Sequence, residues 1–169
     1  MKSMAFMTVC ALTLAPFNIH ADLPAKQAQI DFAMEVKNTL RDRLMALLLN
    51  EFENTTSENF EAGNEAISLV FDDNNQSFRL VGDVGPLRKN DLPNDAWEKD
   101  ALGAAKQGRG FGPDVGKING NYYVRESIAL ANFDPSCSIC HENFGPVNPK
   151  QYVGALMLRV PVHPDTTTQ

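Results

Sequence analysis

The chain has 169 residues, 43% of them hydrophobic and 21% charged. That length and balance suit one globular domain with its own core and exclude a disordered, collagen-like or coiled-coil chain. Fifteen Lys and Arg against 21 Asp and Glu leave a net charge of −6, which disfavours binding to a nucleic-acid backbone or to an anionic membrane surface. Three cysteines are too few for a disulfide scaffold.

Met1-Lys2-Ser3 opens the chain, and an almost wholly apolar run from Met4 to Phe17 follows. A short basic start before an apolar stretch too short for a lasting membrane span reads as a secretory signal peptide. Residues 1–21 are the expected leader, cleaved after Ala21, and residues 22–169 the single mature domain. The leader removes Cys10 and Lys2, so only Cys137 and Cys140 remain and the charge becomes −7, from the −6 of the whole chain. The expected compartment is a bacterial periplasm, with no membrane attachment once the leader is gone.

The first element of the mature chain is a long helix over 25–53. Ile30, Ala33, Met34, Lys37, Leu40, Leu44, Leu47 and Leu48 recur at spacings of three and four. Thr55-Thr56-Ser57-Glu58 is a capping-box signal for a second helix from about Ser57 to Val70. A turn over Asp72–Asn75 leads to a short strand, Ser77–Val81, and an irregular loop over Gly82–Pro93. A third helix, capped by Asn94 or Asp95, runs towards Gly108. The glycine-rich stretch Gly108–Gly116 lacks the lysine of a phosphate loop. Asn119-Gly120 is a type I′ hairpin signal joining Val115–Ile118 to a longer strand, Tyr122–Ala131. Residues 133–150 read as loop, and Tyr152–Val162, with its alternating pattern, as a closing strand. Helices first and antiparallel strands last make the class α+β.

Cys137-Ser138-Ile139-Cys140-His141 is the attachment pattern of a c-type haem. Two thiols three positions apart can each add to one of the haem's two vinyl groups, and the next histidine offers its imidazole to the iron as proximal ligand. A thioredoxin-like pair would need a βαβ context. Zinc would need four ligands, and the mature chain has only His163 besides His141. The expected cofactor is therefore one covalent haem c with its iron, bound by Cys137, Cys140 and His141.

The chain resembles a family of small secreted c-type haem domains with a PAS-like fold, also found fused to bacterial sensor kinases, whose founding structure comes from a cyanobacterium. The likeness rests on Leu87-Arg88-Lys89-Asn90-Asp91-Leu92-Pro93-Asn94-Asp95-Ala96-Trp97-Glu98, on Cys137–His141, and on the closing stretch Gly154–Pro161. It implies a PAS-like antiparallel sheet preceded by long N-terminal helices and carrying the covalent haem. The chain departs from the family in Lys89 and in Asp91-Leu92, where the family has a proline-containing turn. Some members also use a cysteine of the N-terminal helical region as second axial ligand. The comparable stretch here is Ala66–Val70, which has no cysteine, so thiolate ligation is unavailable to this chain.

The sixth iron position then decides function. Met34, Met45, Met157 and His163 are the candidate ligands, and an apolar cap at Val70 would leave the iron open. The expected function is a periplasmic monohaem cytochrome sensing redox state or a diatomic gas. The alternative is a small electron carrier with six-coordinate haem. Arg88 or Lys89 is expected on a haem propionate, or else in a surface ion pair with Glu98 or Asp91. Phe133, Phe144, Tyr122 and Tyr123 are candidates to line the haem, while Trp97 is expected to anchor its helix to the core. No acid–base constellation indicates catalysis. The partner is a redox protein or a small diatomic ligand, and the long first helix leaves homodimerisation open.

Overall fold

The computed structural model describes residues 26–71, 77–83 and 91–163. The expected leader, the expected turn over 72–75 and the tail beyond His163 lie outside the described residues. Helix α1 spans Gln27–Asn54 and α2 Phe60–Val70; strand β1 spans Phe78–Val81; α3 spans Ala96–Ala105. Strands β2 (Phe111–Ile118) and β3 (Asn121–Asn132), helix α4 (Pro135–Cys140), a 3-10 turn (Glu142–Phe144) and strand β4 (Asn148–Pro161) complete the chain. The strands form one sheet in the order β1-β4-β3-β2, every pair antiparallel. The class is α+β, with helices on both faces of the sheet.

On one face α1 and α2 pack Leu44, Leu48 and Phe71 against Leu156 and Leu158 of β4. Further along α1, Ala33 meets Val124 and Val160. On the other face Ala101, Leu102 and Ala105 of α3 cover Val81, Ala155 and Met157. The closing strand is present, but the alternation seen over Tyr152–Val162 does not carry over into its burial. Its run Ala155–Leu158 is buried throughout, because odd and even residues each meet a helical layer. Full burial of a side chain of this size contributes roughly 1.5–3 kcal/mol.

Asn119 (φ 49°) and Gly120 (φ 87°) both take left-handed backbone, as a type I′ turn requires, and Ile118 pairs with Asn121 across it. Strand β2 starts at Phe111, four residues before the expected Val115. It is an edge strand, where some amide donors face away from the ladder, so Pro113 is accommodated beside a register shift between Phe111 and Asp114. Helix α2 starts at Phe60, not Ser57, with Asn59 at its N-cap position. Thr55, expected to open that helix, instead closes α1: its hydroxyl donates to the Glu51 carbonyl at 2.6 Å. The two helices come close here, since a Cβ at Gly63 would lie 2.5 Å from Thr55 Oγ1.

Lys37 falls within the apolar stripe of α1 and is 2% exposed. Its ammonium pairs with Glu126 Oε2 of β3 at 2.7 Å, and Arg41 Nη1 stands 3.7 Å from the same oxygen. Removing one partner of such a pair strands the other's charge, whereas replacing both by apolar groups is often neutral. Lys37→Met should therefore lower the unfolding free energy by about 3 kcal/mol, and the double variant Lys37→Met with Glu126→Leu should recover most of that loss, as read from urea denaturation.

Candidate functional site

The Cys137–His141 segment lies where the chain crosses from β3 to β4. The expected loop over 133–150 instead holds α4 and the 3-10 turn, and β4 begins at Asn148, four residues before the expected Tyr152. Proline reads as a breaker, but Pro135 occupies the first turn of α4, where its missing N–H costs nothing. Asp134 caps this helix by accepting from the Ser136 N–H at 2.9 Å. The His141 N–H donates to the Cys137 carbonyl at 3.0 Å, and the Phe144 N–H to the His141 carbonyl at 2.9 Å. Gly145, at φ 70°, then turns the chain towards β4.

Asn132, the last residue of β3, is fully buried and clamps this connection. Its Nδ2 donates to the carbonyls of Phe144 at 3.3 Å and Pro146 at 3.1 Å. The Ser138 hydroxyl donates to the Gly145 carbonyl. Neither hydrogen-bonding role is legible in the sequence, because each acceptor is brought near only by the fold.

Cys137 is 7% exposed and its thiol is free. Burial pushes its pKa up, against hydrogen bonding at the Asp134 backbone. A nucleophilic redox thiol is favoured by a shift in the opposite direction. Cys140 is the last residue of α4. The His141 ring is half-buried and stacks on Phe144, with centroids 4.5 Å apart and planes at 19°. Burial lowers the imidazole pKa, opposed by the negative charge of Asp91. A neutral ring keeps a lone pair for a metal, and its Nδ1 is buried with no hydrogen-bond partner among the described residues. No cluster of three or more His, Cys, Asp or Glu side chains occurs among the described residues.

The other candidates separate. Phe133 reaches the C-terminal part of α1, where it meets Phe52 edge-on at 5.6 Å. Met45 and Val70 pack in the same apolar cluster as Phe52. Met34 lies eighteen residues before Phe52, about 27 Å along the helix. Met157 is 3% exposed on the α3 face, across the sheet from α1. His163 is exposed after β4. Tyr122 and Tyr123 sit at the start of β3, with Tyr123 opposite Pro161, a strand's length from α4. They do not belong to this site. Trp97 meets Phe111 at 5.3 Å and packs on the α3 core, as expected of an anchor. Arg88 and Lys89 lie outside the described residues, between Gly82 and Asp91, whose backbones are hydrogen-bonded at 2.8 Å. Glu98 already holds Arg79 at 3.5 Å and Arg125 at 3.8 Å.

The donor set suits a c-type haem: a buried thiol, a second cysteine three positions on, and a neutral imidazole on the next residue. Apolar side chains also stand uncovered on neighbouring segments. Leu69 of α2, which packs against α4, is 74% exposed, and Leu92, next to Asp91, is 45% exposed. Comparison with protein-family models, with curated proteins and with solved structures finds no match to this chain.

Asn132→Ala should cost about 1–3 kcal/mol, the usual range for a buried hydrogen-bonding group that is removed. Limited proteolysis of that variant should nick residues 141–147 earlier than in the parent protein, with the β-sheet circular dichroism retained.

Proposed function

We propose that this chain is an exported monohaem c-type cytochrome of PAS-like fold that senses redox state or a diatomic gas. The reading is carried by one observation: a buried Cys137 and a neutral His141 imidazole, joined by one hydrogen-bonded turn at the end of the sheet. A spacing of three places Cys137 and Cys140 at positions on one face of α4, which suits two thioether bonds to one porphyrin edge. The four-stranded antiparallel sheet with helices on both faces is compatible with the PAS-like reading.

When bound, the haem supplies one-electron redox chemistry and, with an open sixth position, binding of small gases. The chain's own residues perform the holding and orienting. Cys137 and Cys140 would hold the group covalently. His141, kept neutral by burial, presents a lone pair, while stacking on Phe144 sets the plane of its ring. Asn132 keeps the connection rigid through its bonds to the Phe144 and Pro146 carbonyls. Arg88, three residues along the chain from Asp91, is the proposed partner of a propionate.

The carrier reading has a specific observation in its favour. Met45, which shares the Phe52 and Val70 cluster, is the one candidate thioether on the part of α1 that adjoins α4. Seven residues, about 10 Å of helix, separate it from Phe52.

Optical spectra of the mature protein, produced in a host that attaches haem c, test these readings. The expected result is a covalently attached haem that survives denaturation, with a spectrum of the reduced form that shifts on adding CO. Cys137→Ala or Cys140→Ala should lower haem yield sharply. His141→Ala should keep the attached haem and change its spectrum. Haem yield unchanged by either cysteine substitution would sink the assignment, and a CO-insensitive spectrum that becomes CO-sensitive in Met45→Ala would select the carrier.

A further inference from the structure

His141 is half-buried, and its Nδ1 is buried with no hydrogen-bond partner among the described residues. The nitrogen left to face a large planar group is therefore Nε2. A metal-bound histidine almost always donates its second N–H to a carboxylate, a carbonyl or a water, which makes the ligating nitrogen a stronger donor. Here Asp91 acts on the ring through its negative charge and makes no hydrogen bond to Nδ1. Asn132 Oδ1 and Ser136 Oγ, buried in the same connection, are likewise without partners among the described residues, so neither serves the ring. What holds the imidazole is the Phe144 ring, stacked on it at 4.5 Å and 19°. Phe144 is itself fixed, by its N–H bond to the His141 carbonyl and by the Asn132 bond to its own carbonyl. Stacking orients a ring without adding to its basicity.

An imidazole without that second hydrogen bond is a weak donor, and a ligand on the opposite side of the iron can break its bond. Among the small diatomic gases, nitric oxide brings to ferrous iron an unpaired electron that weakens the bond opposite it. Carbon monoxide and dioxygen leave that bond in place. Dioxygen also takes on negative charge as it binds, and a polar distal pocket with hydrogen-bond donors favours it. Helices α1 and α2 both pack against α4, and the apolar cluster they share carries Met45, Phe52, Ile67 and Val70, none of which donates a hydrogen bond.

We infer that the gas this site takes is nitric oxide, and that its binding breaks the bond between the iron and His141 Nε2 while Phe144 keeps the released ring in place. The bond from iron to the nitrogen of the gas forms as the bond from iron to Nε2 breaks. The Nε2 lone pair returns to the imidazole, so the step needs no oxidant, reductant or proton. The inference rests on the haem reading above and names the ligand within it.

Electron paramagnetic resonance of the reduced mature protein under nitric oxide tests it, on material whose haem survives denaturation. The expected spectrum shows coupling to the nitrogen of the gas alone, and labelling the histidines with heavy nitrogen leaves it unchanged. Phe144→Leu should slow the return of His141 to the iron about tenfold once the gas is withdrawn. Phe144→Tyr, which keeps the ring, should return at the parent rate. A spectrum that carries histidine coupling, no binding of nitric oxide, or a return rate unchanged in Phe144→Leu would overturn the inference and leave the attached haem standing. Protein that carries no attached haem would take the functional reading down with it.

Discussion

Strand β4 is held between two helical layers, and the rest of the structure depends on that constraint. Both of its edges are paired, to β1 and to β3, and both of its faces are covered. A strand in that position cannot slip by one residue without exchanging Leu156 and Leu158, which face α1, for Ala155 and Met157, which face α3. The larger side chains go under the long helix and the smaller Ala155 under the alanine-rich surface of α3. The two layers thus fix the register of β3–β4, and the register fixes where every polar side chain on β3 points.

Consecutive residues of β3 show the consequence. Arg125 and Glu126 carry opposite charges and point to opposite faces, and each is met by a partner from the helix covering that face. Glu126 meets Lys37 of α1, while Arg125 meets Asp95, the cap of α3. The Asp95 carboxylate also accepts from the Glu98 N–H at 2.8 Å. One side chain therefore both starts α3 and ties that start to the sheet. Ion pairs placed this way contribute little net stability after desolvation. They do penalise any other docking angle of the helices, because a rotated helix would strand a buried charge.

The place of the Cys137–His141 segment has a related reason. A pair of strands closed by a long connection has one open end, and the Cys137–His141 turn occupies it, tied back by Asn132. Residues there are restrained by hydrogen bonds to backbone carbonyls as well as by the burial of Cys137 and Phe144.

Much of this was legible in the residues themselves. The long first helix, the Asp95-capped helix, the Asn119-Gly120 hairpin and the α+β class all follow from local signals: hydrophobic period, cap chemistry and left-handed turn residues. The cysteine–histidine spacing is likewise a local feature, and the structure adds the helix and turn on which it lies. Local signals failed where neighbours distant in sequence intervene. Thr55 serves the carbonyls of the helix before it instead of opening the next. Pro113 sits within a strand because that strand is an edge, and Pro135 begins a helix because Asp134 precedes it. The burial of Lys37 and the uses of Asn132 and Arg125 had no local signature, since each depends on a partner brought near only by the sheet. The sequence by itself determined the helix periods, the caps, the hairpin turn and the spacing of the cysteines and histidine; the packing of two helical layers on one sheet decided which groups meet, because register and burial arise only between segments far apart along the chain.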